Sequence, residues 1–360
     1  MILNKEKIKT DFTLSSTDSL VLKGIAICLM LWHHLFTTIE YGEVTLYWGQ
    51  FGKVCDSIFL FVSGYGLYMQ YSKVKFTNTV SFLKNNFIFL LNRLTKFYLN
   101  YWFVFLIFVP IGVFVFDIDL KQAYGPNVNL IKRFMYDVFG LQGFYSYNIT
   151  WWFNKLIILF YLFFPLFFFL TKRFPWTLFI ISIFSVRYGH HIVLANFNVG
   201  LTLWLLPFVL GLLFAKYAFR LNKLFSDVNY TALFVISLLQ FILFLYLRMN
   251  NIIPHWSGIR LDGFLALSLV FLLISFVRKV PQISFVLSFL GKHSINIYLV
   301  HTFIFYYWFE LYVYYFENPI IIFCILLLST LLISMIIEYL KKILGFNKLQ
   351  SIITRRFNYK

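Results

Sequence analysis

The sequence predicts an all-α polytopic integral membrane protein with about ten transmembrane helices and both termini in the cytoplasm. Three observations carry this reading. Of 360 residues, 61% are hydrophobic and only 12% charged, with mean hydropathy +0.78. Apolar runs of membrane-spanning length recur along the whole chain. Lysine and arginine also alternate in density between successive loops. Soluble domains hold ~45–50% apolar and ~25% charged residues, so a soluble globular chain, a disordered one and a disulfide-rich secreted scaffold are all excluded.

The runs fall at 20–39, 50–71, 97–116, 151–171, 174–188, 198–217, 229–248, 261–278, 288–315 and 319–340. A helix needs ~20 mostly apolar residues to cross the hydrocarbon core; the fifth run is short and the ninth long. The first follows a polar, basic stretch and has no small-residue cleavage pattern behind it, which reads as a retained anchor. The organisation is thus a cytoplasmic segment 1–19, a transmembrane domain 20–343 and a basic cytoplasmic tail 344–360. Ten spans with both ends inside leave eight basic residues outside: Lys53, Lys121, Lys132, Arg133, Lys155, Arg187, Arg248 and Arg260. The other 23 of the 31 fall inside, as expected for cytoplasmic loops. The formal charge of +17 is therefore assigned to topology and anionic lipid headgroups, with no need for nucleic acid. Cys28, Cys55 and Cys324 show no CxxC spacing, so they read as packing residues and not as a metal site.

Ionisable residues inside spans are expensive and mark functional positions. The first span reads LVLKGIAICLMLWHHLF. Lys23 and His34 are eleven residues apart, within ~20° of whole turns at 100° per residue, so they share one face about 16 Å apart. A neutral imidazole can take a proton from a hydroxyl nucleophile near physiological pH. The plainer alternative is an interfacial histidine pair beside Trp32, which suits His33 whichever role His34 plays. Trp151 and Trp152 read first as headgroup-belt residues and second as a stacking platform for a sugar. His190, His191, His255 and His293 read as solvated or interfacial, and the phenylalanines as lipid-facing bulk.

A basic residue, ten intervening positions and a histidine in the first span resembles the signature of the membrane-bound acyltransferase-3 family. Lys23 occupies the position where that family usually has Arg, and the following GIA matches. The second span, SIFLFVSGYGLYM, is similar to the family's FFxLSG segment at Phe61, Ser63 and Gly64. NRLTKFY in the next inner loop resembles its basic stretch, at Arg93 and Lys96. TWWFNKLIILFYLFFPLF matches a Trp-rich start and FYLxFP core at Trp152, Phe160, Tyr161 and Pro165. LPFVLGLLFAK matches at Pro207 and Gly211, and LGKHSINIYLVHTFI at Ser294, Tyr298 and His301. These six fragments occur in the family's order over nearly the whole chain.

The resemblance implies an O-acyltransferase that moves an acyl group, in the first instance acetyl, from cytoplasmic acyl-CoA to a hydroxyl of a cell-surface or exported polysaccharide. It makes His34, Lys23 and His301 the candidate catalytic residues, and Arg93 and Lys96 the donor-binding pair. Ser63, Trp152, Tyr161, Ser294 and Tyr298 become candidates for lining the acceptor cavity. Ser294, Tyr298 and His301, at i, i+4 and i+7, share one helical stripe. Ordinary snorkelling is the alternative for the lysines and arginine, and a carbonyl-bonded packing role is the alternative for His301. No tightly bound cofactor or metal is implied; acetyl-CoA is a substrate. The implied partners are acyl-CoA, a carbohydrate acceptor and membrane lipids, with homo-oligomerisation open, and the location is a bacterial inner or plasma membrane. Two departures stand out. Lys23 lacks the planar fork of Arg, and Ile157 and Ile158 stand where many members carry a fourth-span Glu. A polysaccharide transporter or polymerase without acyl chemistry would share the spans but has no reason to contain the ordered motifs.

Overall fold

Ser15 and Asp18 open the bundle. The Asp18 amide donates to the Ser15 hydroxyl (3.1 Å) and the Ser15 amide to the Asp18 carboxylate (2.8 Å), a capping box that starts the first helix. The computed structural model describes residues 11–37, 39–74, 79–188, 200–225, 228–250 and 258–356, and every regular element among them is helical. The order begins with α1 (Ser16–Leu35), the short α2 (Glu43–Gly52), α3 (Val54–Tyr71) and the long α4 (Thr79–Phe114). Two short helices, α5 (Leu120–Tyr124) and α6 (Leu130–Val138), form a cap before α7 (Trp152–Arg173) and α8 (Pro175–Tyr188). Next come α9 (Leu205–Leu224), α10 (Tyr230–Met249), α11 (Asp262–Ser275) and α12 (Pro281–Thr302), which runs into a π-helical turn at Phe303–Trp308. The short α13 (Glu310–Tyr314), α14 (Pro319–Ile343) and α15 (Phe346–Arg356) complete the chain.

Eight helical segments among the described residues are long and apolar enough to cross a membrane, two fewer than the ten expected. The two that fall short are α3 and α8. α8 has only 14 residues. α3 has 18, but it carries Asp56 and Gln70, and thirteen of its residues are buried in protein. A helix surrounded by other helices need not be lipid-like all round, whereas peripheral α10 buries little beyond Leu233, Ser237 and Arg248. The third span also begins earlier than its apolar run. α4 starts at Thr79 and extends about 54 Å at 1.5 Å per residue. Arg93 and Lys96 therefore sit on a helix and not in a loop.

Glycines bring the central helices together. A methyl group on Gly24 would collide with the Leu287 carbonyl, and one on Gly291 with the Leu20 carbonyl. The backbones of α1 and α12 thus meet directly, as helices in lipid do where small residues face each other. Gly64 and Gly211 do the same for α3 and α9, against the carbonyls of Phe208 and Phe61.

Polar groups tie the periphery to this centre. Arg248 of α10 pairs with Asp262 of α11 at 2.5 Å, both buried, and donates to the Gln50 carbonyl of α2 at 3.0 Å. At the opposite end, Arg278 donates to both Asp18 oxygens (3.0 and 2.7 Å). Lys341 of α14, 1% exposed, bonds Asn100, Asn296 and Glu338, which locks α4, α12 and α14 together. The cap is held by α4: Tyr101, Trp102 and Tyr98 donate to the carbonyls of Asp137 (2.6 Å), Val138 (2.7 Å) and Phe139 (3.1 Å). Those are the carbonyls that a helix C-terminus leaves without partners.

Gly291→Ala is expected to cost about 1–3 kcal/mol by forcing α1 and α12 apart, read as a lower thermal midpoint of the detergent-solubilised protein. The cap provides a pH test. Burial pushes the Asp137 carboxyl up to about 6, although the Tyr147 amide and Tyr124 hydroxyl both donate to it. A folded value above the ordinary 3.8 means that this group's contribution to stability is full below about pH 4 and is lost as pH rises through about 6. Melting at pH 5 should therefore exceed that at pH 7.5, by on the order of 1–1.5 kcal/mol at most. Asp137→Asn, whose amide oxygen can accept the same two bonds, should flatten the difference.

Candidate functional site

His34 and Lys23 face one cavity of about 190 Å³ enclosed by α1, α3, α4, α7 and α12. Lys23 lies in the first half of α1 and His34 one residue from its end, so the eleven-residue spacing runs the length of the chamber. Ser294 and Tyr298 of α12 and Trp152 and Tyr161 of α7 also line it. His301 and Ser63 are not in the lining. Ser63 hydrogen-bonds the Tyr161 hydroxyl instead.

Three imidazoles gather at the far end of α1. The His34 ring lies 5.0 Å from His301 and 5.0 Å from His33, centroid to centroid. His33 Nδ1 is 2.8 Å from the Gly49 carbonyl, and His301 Nδ1 is 2.7 Å from the Tyr298 carbonyl. A carbonyl can only accept, so in both rings Nδ1 carries the proton and Nε2 keeps its lone pair. The Thr302 hydroxyl is 3.3 Å from His301 Nε2 and 2.9 Å from the Thr150 hydroxyl, which in turn donates to Asn148 at 2.7 Å. His34 differs from its neighbours: among the described residues neither of its nitrogens has a hydrogen-bond partner. Its ring is held by packing against Phe305 (6.3 Å) and His301, and its polar atoms are left for an occupant of the cavity.

Beside these rings the cavity is lined by residues that the motif reading did not single out. Lys53 and Asp56 pair at 3.0 Å at the start of α3. The Lys53 ammonium also lies over the Trp152 ring at 4.8 Å. Thr150 and Asn154 join the same wall. Asn154 Nδ2 is buried without a hydrogen-bond partner, and such a group calls for an explanation in a folded protein. An ionisable residue at the edge of an apolar run was the available signal for Asp56. Nothing in the pattern distinguished Asn154.

The donor-side candidates come together in part. Arg93 of α4 lies close enough to Lys23 and Tyr161 to act on both electrostatically. Its guanidinium also donates to Gln70 and stacks on Phe89 at 5.4 Å. Lys96, one turn further along α4, neighbours Arg93, and neither of the two is in the cavity wall. Among the described residues no group of His, Cys, Asp or Glu is placed to hold a metal ion.

Two expectations are corrected. Trp151 and Trp152 are not belt residues at the headgroups. Trp151 is fully buried and donates to the Leu299 carbonyl at 3.0 Å, and Trp152 lines the cavity. An apolar run bounded by tryptophans looks the same whether protein or lipid surrounds its end. His293 is not solvated either: it is buried and bonds Ser334 at 2.8 Å, because α14 covers that face of α12. Many phenylalanines likewise pack inward, for instance Phe160 on Phe208 at 4.4 Å. His190, His191 and His255 lie outside the described residues.

No curated protein and no solved structure matches the chain. The family model described as an acyltransferase domain, by contrast, matches residues 20–339, from the first turns of α1 almost to the end of α14. That span takes in Lys23, His34, Arg93, Trp152 and His301 together with the cavity, and the chain belongs to the acyltransferase-3 family of multi-pass membrane acyltransferases.

Proposed function

We infer that the protein transfers an acyl group, in the first instance acetyl, from cytoplasmic acyl-CoA to a hydroxyl of a cell-surface or exported polysaccharide. One observation carries the reading: His34 offers unpaired ring nitrogens to the same cavity that Lys23 reaches from the other end. The excess of basic residues in alternate loops supports a cytoplasmic position for the Lys23 end, where Arg93 and Lys96 also stand. These cations suit the phosphates of the donor, which need charged partners. The cavity of about 190 Å³ suits the acyl-thioester end alone. The acceptor hydroxyl would approach from the side of Trp152 and Asn154, where the unpartnered Asn154 amide can bond a sugar's hydroxyl and the indole can stack on its ring.

In the transfer step, His34 takes the proton of the acceptor hydroxyl as its oxygen bonds the thioester carbonyl carbon. The carbon–sulfur bond then breaks, and the proton passes to the departing CoA thiolate. His301 acts as a neutral neighbour that fixes the His34 ring. Two hydrogen bonds to a carbonyl and a hydroxyl already occupy it, so the proton-transfer role falls to His34. Exclusion of water from such a chamber strengthens every dipole aimed at the developing oxyanion.

Labelled acetyl-CoA and the cell's own surface polysaccharide, supplied to protein in lipid nanodiscs, test the reading. His34→Ala is expected to lower kcat about 10²–10⁴-fold, the usual worth of a general base, with the donor KM little changed. Full activity in that variant would remove the imidazole from the mechanism. Lys23→Ala is expected to act on the other parameter, raising the acetyl-CoA KM by roughly tenfold or more through loss of a charge-assisted contact. Lys23→Arg, the residue usual in the family, should restore it.

A further inference from the structure

The cap carries a second concavity, distinct from the one on α1: an open groove of about 750 Å³. Asn129, Lys132, Arg133 and Tyr136 line it at i, i+3, i+4 and i+7, a single stripe of α6. The opposite stripe, Leu130, Phe134 and Val138, packs into the core, so the helix is fixed with its cations toward the groove. Lys155, from the first turn of α7, adds a third positive charge.

Three features indicate what the groove takes. None of these cations has a carboxylate partner among the described residues, although the bundle pairs Lys53, Arg248, Arg278 and Lys341. Gathering like charges in one hollow is unfavourable until an anion arrives. The Arg133 guanidinium is also held in place, over the Tyr145 ring at 4.9 Å, which leaves its planar fork positioned for an oxyanion. Gln142, 6% exposed, lines the groove with its Nε2 buried and without a partner. A buried amide of that kind seeks a hydrogen-bond acceptor.

The groove also adjoins the site. Phe144, between Gln142 and Tyr145 in sequence, stacks on Trp152 at 5.0 Å with the planes 22° apart, and Trp152 lines the transfer cavity. Asn154 of the cavity wall and Lys155 of the groove are consecutive residues. A chain lying in the groove would have its next sugar at the Trp152 mouth.

We propose that this groove binds an anionic stretch of the acceptor, a glycan bearing uronate carboxylates or phosphodiesters, and so directs acyl transfer to acidic polymers. The proposal rests on the acyl-transfer reading for its biological sense, but binding can be measured without it. Full-length protein in nanodiscs of neutral phosphatidylcholine is titrated with an oligogalacturonate, a glycerol-phosphate oligomer and a neutral maltooligosaccharide. The triple variant Lys132→Gln/Arg133→Gln/Lys155→Gln is titrated in parallel. At least one acidic oligomer should bind, and the two arms identify carboxylate or phosphodiester as the preferred group. The triple variant should weaken that binding at least tenfold, added salt should weaken it too, and slow hydrolysis of acetyl-CoA without acceptor should stay at the wild-type rate. Equal affinity for the maltooligosaccharide, or an unchanged triple variant, overturns the proposal. So does a defect confined to sedimentation with phosphatidylglycerol vesicles, which would make the groove a lipid-headgroup site. Acidic-oligomer binding by a wild-type protein that never turns over acyl-CoA would support the groove's ligand class and count against the transferase reading instead.

Discussion

Two helices lie against each other with no side chain between them at Gly24 and Gly291, and the site is built upward from that contact. The contacts are reciprocal: Leu20 meets Gly291 and Leu287 meets Gly24, which places α1 and α12 side by side with the same polarity. Ten residues beyond each glycine stands a histidine, His34 on one helix and His301 on the other. Equal lengths of helix, about 15 Å each, bring the two rings to 5.0 Å. Their separation is therefore a property of two backbones and not of flexible side chains. Lipid offers no hydrophobic drive for helices to associate, so close backbone approach has to supply the attraction. The walls contributed by α3 and α7 are then arranged around a pair whose geometry is already fixed.

Charge follows a similar economy. Where a cation is buried in the bundle, the fold neutralises it: Arg248 by Asp262, Lys341 by Glu338 and its two asparagines, Lys53 by Asp56 and an indole face. Lys23 in the cavity and the three cations of the cap groove have no such carboxylate among the described residues. These positions open onto concave space, where an incoming anion can do what a carboxylate does elsewhere. Unpaired charge inside the bundle is costly, which sets Lys23 apart from the paired cations as a group that awaits a ligand; the groove cations are exposed or half-buried, and what they share is the crowding of like charge in one hollow.

Much of this was legible in the residues alone, and the failures share a cause. The helical class and the shared face of Lys23 and His34 follow from hydropathy and the 100° step, which need no knowledge of neighbours. The ordered fragments around Gly64, Gly211 and Gly291 were visible as motifs, although only the structure shows that these glycines serve helix contact. What escaped depends on what lies opposite. Hydropathy cannot tell a tryptophan at a headgroup from one under α12, so Trp151 and Trp152 were misplaced. The run 50–71 reads as an ordinary span, and only the structure shows that α3 is wrapped in protein and can therefore carry Asp56. Lys53 and Asp56 look like a solvated i, i+3 pair until α7 places Trp152 beside them. His293 reads as exposed until α14 covers it.

The attachment of the cap has an evolutionary consequence. Tyr98, Tyr101 and Trp102 of α4 grip three successive main-chain oxygens of α6 and the residue after it. Every amino acid supplies the same oxygen, so this docking is indifferent to which side chains α6 presents on its outer stripe. Residues such as Lys132 and Arg133 can drift, invert in sign or be exchanged wholesale without loosening the segment from its support. A lineage could thereby change what the cap presents to its surroundings by rewriting one short helix, while the buried chamber beneath it is inherited unaltered.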